Sequence, residues 1–276
     1  MNTIQFSDGT NVPVLGQGTW KFGEGERDAA EEVAALRAGV ESGMTLIDTA
    51  EMYGEGAAEE IVGRAIEAMR DQVFLVTKAY PHHASSRELP LACERSLHRL
   101  GTDVIDLYLL HWRGPTPLAE TVKAFEGLRA SGKIRRWGVS NFDTDDMEEL
   151  GAKAEYCMAN QVLYNSEARG IEFDLLPWCQ DRQMPVMAYS PVGQGGRLLK
   201  NKALLEVAGR HDATPAQIAI AWALRQPGVI AIPKASNLYH VRENAAAASI
   251  KLSAADLAVI DAAYPPPKKK RPLQML

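Results

Sequence analysis

Val73-Phe74-Leu75-Val76-Thr77-Lys78 is an apolar run that ends on a charge. It is apolar on both faces, as a strand in a parallel sheet covered by helices must be. Residues 86–100 follow with helical spacing, and residues 104–110 form a second apolar strand that ends at His111. Strand, helix, strand is the repeating unit of a parallel sheet.

The same unit recurs on both sides of this stretch. Upstream, strands are expected over residues 15–19 and 45–49, with helices over 27–41 and 57–69. Downstream, strands fall over 134–139, 156–161, 185–189 and 229–232, and helices over 118–130, 144–150, 173–182, 215–225 and 238–247. A long loop is expected between 189 and 215. Eight strands alternating with helices predict an α/β fold, a closed (β/α)8 TIM barrel. A doubly wound sheet would want a glycine-rich phosphate loop, and Gly16-Gln17-Gly18-Thr19-Trp20 does not complete the GxGxxG spacing. Ahead of the barrel, Ser7-Asp8-Gly9-Thr10 reads as the turn of an N-terminal β-hairpin, residues 1–14. Residues 253–263 add an extra C-terminal helix, and residues 265–276 form a tail. No low-complexity linker divides the chain, so one domain over 1–276 is expected.

The bulk numbers narrow the function. A net charge of -5 offers no global basic field to attract nucleic acid. The one basic run, Lys268-Lys269-Lys270-Arg271, follows three prolines and reads as a solvated terminus rather than a targeting or nucleic-acid element. Cys93, Cys157 and Cys179 are odd in number and widely spaced, with no CxxC. They fit free thiols in a reducing, cytoplasmic setting and argue against a metal site. No signal peptide is visible near Met1, and no apolar run approaches the length of a membrane span.

Polar residues interrupt the buried strands at matching places. Asp48 closes Thr45-Leu46-Ile47, Lys78 closes residues 73–77, and His111 closes Leu107-Tyr108-Leu109-Leu110. In a (β/α)8 barrel those ends share the face on which active sites form. Tyr53 lies five residues past Asp48, before Gly54 and Gly56. Singly, Asp48 could cap a turn, Lys78 could mark a strand exit, and His111 could be a satisfied core histidine. Together they make an acid. A carboxylate would hold the ammonium, and the ammonium would lower the pKa of the Tyr53 phenol. His111 would orient a carbonyl oxygen, and Tyr53 would be the general acid. Ser140 and Ser190 lack the GxSxG elbow, which disfavours acyl transfer.

The sequence resembles the aldo-keto reductase family over residues 15–244. The resemblance rests on Ile47-Asp48-Thr49-Ala50 with Tyr53-Gly54, on Leu100-Gly101-Thr102-Asp103 through Ile105-Asp106-Leu107-Tyr108 to His111-Trp112, on Gly138-Val139-Ser140-Asn141-Phe142, on Ala188-Tyr189-Ser190-Pro191, and on Ile232-Pro233-Lys234. It implies that Asp48, Tyr53, Lys78 and His111 are the catalytic tetrad, and that a hydride passes from NADPH to a carbonyl carbon. Tyr189 would stack on the nicotinamide, while Ser140, Asn141 and Gln161 would hold its carboxamide. Gly18, Thr19, Trp20 and Asp48 would lie beside the cofactor. Ser190, Pro191, Val192, Gln194 and Gly195 would line the pyrophosphate. Ile232, Pro233, Lys234, Ala235, Ser236 and Asn237 would face the 2′-phosphate and ribose, with Glu243 and Asn244 near the adenine. Many relatives carry arginine where this chain has His240, and histidine lacks that planar, permanently charged fork. NADPH is therefore expected, with NADH tolerated; Arg242 could substitute from nearby.

Trp20, Tyr53, Tyr80, His111 and Trp112 would form an aromatic pocket for a small carbonyl substrate. Residues 232–247 are similar to a bacterial subgroup associated with reduction of methylglyoxal and 2,5-diketo-gluconate. A sugar or keto-acid reductase is the alternative, with Arg113 binding the carboxylate. A non-catalytic, NADPH-sensing regulatory subunit is the alternative from another class. The resemblance implies a monomer. The tail would either cover the pocket or be disordered.

Overall fold

The computed structural model describes all residues, Met1–Leu276. Thr3–Gln5 (β1) and Asn11–Pro13 (β2) pair antiparallel, and Gly9 supplies the positive φ, 87°, that the turn demands. Eight strands follow: Gln17–Gly18 (β3), Leu46–Asp48 (β4), Phe74–Ala79 (β5), Leu107–Leu110 (β6), Trp137–Ser140 (β7), Cys157–Leu163 (β8), Val186–Tyr189 (β9) and Val229–Ala231 (β10). They form one parallel sheet in chain order. The sheet closes on itself. Leu15 bridges Ala231 and Gly18 bridges Lys234, with the Gly18 N–H donating to the Pro233 carbonyl at 3.1 Å. A side chain at Gly18 would meet the Ile232 carbonyl at 2.9 Å, so only glycine fits this seam.

Side-chain alternation builds two cores. Inward-facing Leu46, Val76, Leu109, Ala159, Met187, Ile230 and Ile232 fill the barrel. Outward-facing Ile47, Leu75, Tyr108, Val139, Val162 and Val186 pack against helices. This two-sided burial is why the strands read as continuous apolar runs. Phe6 belongs to the inner core, and its hairpin plugs the N-terminal end of the barrel. Arg136 pins that hairpin, donating to Asp8 at 2.6 Å and to Thr10.

The covering helices are Ala29–Glu41 (α1), Ala57–Ile66 (α2), Glu88–Leu100 (α3), Leu118–Ala130 (α4), Thr144–Glu149 (α5), Leu175–Asp181 (α6), Lys202–Arg210 (α7), Pro215–Leu224 (α8), Leu238–Ala247 (α9) and Ala254–Ala263 (α10). Three differences from the sequence expectation have physical causes. The expected loop before α8 contains α7, capped by the Asn201 side chain and burying Leu204, Val207 and Ala208. Its nine residues are too short to stand out behind Gly195-Gly196. The helix after Tyr53 stops at Ile66, and residues Arg70–Gln72 form a separate turn. The strand expected from 104 starts at Leu107, because the Asp106 carboxylate accepts from Arg70 at 2.8 Å and from the Leu75 N–H at 3.0 Å.

Candidate active site

Two steps along a strand return to the same face. Six polar side chains use this rule. Asp48 follows Leu46, Lys78 follows Val76, His111 follows Leu109, Gln161 follows Ala159, Tyr189 follows Met187, and Lys234 follows Ile232. Each lies two residues beyond an inner-core residue, so all six inherit its inward direction at the C-terminal mouth. Lys78 is the penultimate residue of β5 rather than its exit, and His111 lies one residue past β6.

Tyr53 arrives differently. It opens a turn in which Gly54, Glu55 and Gly56 all take positive φ before α2 begins. That turn brings the phenol back over the mouth. Lys78 Nζ lies 3.2 Å from the Tyr53 hydroxyl, 2.9 Å from Asp48 Oδ2 and 2.8 Å from the Thr49 carbonyl. The other Asp48 oxygen accepts from Gln161 Nε2 at 2.7 Å. The Tyr53 and His111 rings meet edge to face, 5.8 Å apart. Lys78 is fully buried, and His111 Nδ1 is buried without a partner.

The electrostatics correct one expectation. Burial raises the Tyr53 phenol above its ordinary range, and the Lys78 ammonium offsets only part of that rise. The tyrosine is held protonated rather than made more acidic. Burial works against the charge on Lys78, but Asp48 and Tyr53 outweigh it and keep the ammonium above its usual range. Burial, with help from Lys78, drops His111 well below 6.5, so its ring is neutral at pH 7.

Around this set the mouth has an amide-rich end. Ser140 Oγ donates to the Gln161 carbonyl at 2.9 Å, and Asn141 Nδ2 donates to Ser140 Oγ at 3.2 Å and to the His111 carbonyl at 3.1 Å. The Tyr189 hydroxyl donates to Asn141 Oδ1 at 3.0 Å. Thr19 Oγ1 donates to the Asp48 carbonyl at 3.0 Å, fastening the barrel seam to the site. Backbone strain gathers here as well. Lys21, Glu55, Asn141, Ser190 and Gln194 take positive φ in mouth loops, at about 1–2 kcal/mol each. Buried Pro191 and half-buried Val192 lead into the Gln194-Gly195 turn, which is exposed.

The opposite end carries a lysine. Lys234, half-buried Ala235, Ser236 and Asn237 lead into α9, whose first turn the Asn237 side chain caps through the His240 N–H at 2.8 Å. His240 is paired with Glu243 at 2.9 Å, and Asn244 is buried on the same helix. Arg242 is exposed and makes no ion pair.

The aromatic wall is partly as expected. Tyr80 and Trp112 pack edge to face at 6.0 Å, and His111 and Trp112 lie 5.0 Å apart. Trp20 joins none of these rings; it is 40% exposed, with the Lys21 ammonium 5.1 Å from its centroid. Arg113 pairs with half-exposed Glu149 at 3.0 Å and donates to the Gly114 and Thr116 carbonyls, so a substrate carboxylate would have to compete with these partners. Sequence reasoning missed Glu51. This buried carboxylate accepts from the Tyr80 N–H at 2.7 Å and pairs with His83 Nδ1 at 2.8 Å, tying the Tyr53 loop to the Tyr80 loop. Its position between Asp48 and Tyr53 was the only signal. The tail runs back to the mouth side of the barrel. Lys270 reaches Asp174 at 3.0 Å, Asp145 at 3.3 Å and Asp143 at 3.7 Å, and Leu273 packs on the outer core.

A protonated tyrosine braced by a buried Lys–Asp pair beside a neutral histidine, at the mouth of an eight-stranded barrel, defines an oxidoreductase class. The chain belongs to the aldo/keto reductase family, whose model matches residues 14–265. Among individual proteins, it is 54% identical to methylglyoxal reductase YeaE of Escherichia coli (strain K12), over 99% of this chain and 98% of that one. It is 35% identical to glyoxal reductase of Bacillus subtilis (strain 168), over 95% of this chain and 92% of that one. The crystal structure of an aldo/keto reductase from Klebsiella pneumoniae in complex with NADP and acetate matches with a TM-score of 0.96 at 53% identity, over 99% of each chain.

Proposed function

We propose that this enzyme reduces small aldehydes and ketones to alcohols with NADPH, and that α-keto aldehydes such as methylglyoxal are its substrates. The contact of Lys78 with both Asp48 and the Tyr53 hydroxyl carries the reading. The mouth fits the cofactor: an amide-rich end suits a carboxamide, and Lys234 with the capped start of α9 suits a phosphate.

When bound, NADPH supplies the hydride. Tyr53 donates its proton to the carbonyl oxygen as charge develops there. Lys78 stabilises the phenolate left behind, and Asp48 holds Lys78 in place. Neutral His111 hydrogen-bonds the same oxygen and fixes its direction. Tyr80 and Trp112 form an apolar wall that excludes water and leaves room for a small group. Gln161 orients Asp48 and, with Ser140 and Asn141, receives the carboxamide.

The pairing of Arg113 with Glu149, which a substrate carboxylate would have to displace, weighs against a keto-acid reductase. The intact tetrad speaks against a purely regulatory subunit. The buried, unbridged cysteines suit a reducing, cytoplasmic setting; we infer further one domain, a monomer and, from the net charge of -5, no nucleic-acid partner. The test is NADPH oxidation by the purified protein with methylglyoxal, sugars and keto acids. Turnover of methylglyoxal is expected, and Tyr53→Phe is expected to lower it by about 10²–10⁴-fold while NADPH still binds. Reduction of larger ketones without methylglyoxal turnover would overturn the substrate class. Retained activity in Tyr53→Phe would remove Tyr53 as the acid.

A further inference from the structure

The cations at the phosphate end of the mouth already carry internal carboxylates. Lys234 Nζ lies 3.5 Å from Glu26 Oε2, and Lys21 Nζ lies 3.2 Å from Glu26 Oε1. Beside them, the His240 ring hydrogen-bonds Glu243 at 2.9 Å. Glu26 comes from the loop after β3, 208 residues from Lys234 in the chain, so only the closed barrel brings them together.

That loop is anchored. Phe22 is fully buried, and the Lys234 ammonium stands 5.6 Å from its ring centroid. The Gly23 N–H donates at 2.9 Å to Glu32, a carboxylate only 1% exposed. The anchor at Phe22 and Gly23 keeps the root of the loop beside Lys234, and exposed Glu26 stands three residues beyond it.

We propose that Glu26 is a cofactor-specificity residue: its carboxylate competes with the 2′-phosphate of NADPH for Lys234 and accepts a hydrogen bond from the 2′-hydroxyl of NADH. The inference rests on the reading of Lys234 as the lysine that faces that phosphate. Lysine is a point charge and cannot grip two anions in a fork as arginine can. A phosphate arriving at Lys234 must displace the carboxylate, which like-charge repulsion also drives away. Lys21 gives the displaced carboxylate a second cation to rest on. A ribose with a free 2′-hydroxyl brings no second anion, so Glu26 can stay on Lys234, and a carboxylate can accept a hydrogen bond from that hydroxyl. Glu26 therefore narrows a preference for NADPH that Lys234 alone would make wide.

The experiment measures dissociation constants of NADPH and NADH, by quenching of tryptophan fluorescence, for the wild type, Glu26→Gln and Lys234→Met. Glu26→Gln is expected to tighten NADPH about three- to fivefold, the loss of one partly exposed ion pair. It is expected not to tighten NADH, so the ratio between the cofactors widens. If Glu26→Gln leaves NADPH unchanged while Lys234→Met weakens it, the competition is refuted and the lysine reading stands. If Lys234→Met leaves NADPH binding intact, the phosphate does not meet Lys234, and the inference falls with that reading.

Discussion

Tyr53 is the residue on which the chemistry turns, and its surroundings set the pH behaviour. Its phenol is raised above 10.0, chiefly by burial, and reduction needs the protonated form. The rate of carbonyl reduction is therefore expected to fall only above pH 10. His111 is shifted well below 6.5 and carries no charge to lose near neutrality. A pH profile of kcat/KM with NADPH is thus expected to be flat between about pH 7 and 9; an inflection near 6.5 that vanishes in His111→Gln would contradict it. The same burial has a cost in acid. Below 6.5 the unfolded chain takes up a proton that folded His111 refuses, so its contribution to stability declines as pH falls and is restored above 6.5. Asp48, Lys78 and His111 were legible in the sequence because each interrupts an apolar strand. The sign of the Tyr53 shift was not, because it depends on how far burial outweighs one ammonium. Glu26 on Lys234 was equally invisible, since no local pattern reports a partner 208 residues away.

Among elements, the long periodic helices were legible whether or not a side chain caps them: uncapped α4 spans Leu118–Ala130, as its spacing predicts. Thr214 and Gln217 form a reciprocal capping box on α8, and Ser253 and Asp256 form another on α10. Short α7 has its Asn201 cap too, but nine residues behind Gly195-Gly196 give too little apolar periodicity to separate it from a loop. The tail was open between covering the pocket and disorder because its contacts belong to three distant acids. Lys270 joins Asp143 and Asp145, beside the start of α5, to Asp174 at the start of α6, while Leu273 packs on the outer core. These ion pairs are partly exposed and each contributes little to global stability. Lys270→Ala is expected to leave the melting temperature unchanged and to shift KM for the carbonyl substrate about two- to fivefold, with kcat held. Steady-state kinetics beside a thermal melt check this; a lowered melting temperature with unchanged KM would mean the clamp serves the fold alone.

At the scale of the molecule, the eight-strand count and the order of elements were legible, and so was the hairpin. What the sequence did not disclose is that the hairpin completes the barrel core. Phe6 is 2% exposed and packs edge to face on Phe74 at 5.5 Å. Phe6→Ala is expected to cost about 3–5 kcal/mol of stability, read from urea unfolding, while the folded fraction keeps its specific activity, because the plug lies at the end opposite the mouth. A proportionate loss of specific activity would show that the two ends are coupled.

The two-residue step that aims Asp48, Lys78, His111, Gln161, Tyr189 and Lys234 inward makes each strand a register with odd and even places. A single inserted or deleted codon between an inner-core residue and its polar successor would turn that side chain out among the helices while leaving composition almost unchanged. Changes of chain length are therefore forbidden in these six intervals. Along this chain, mutational drift can substitute freely at many positions, but in the strands it must keep count.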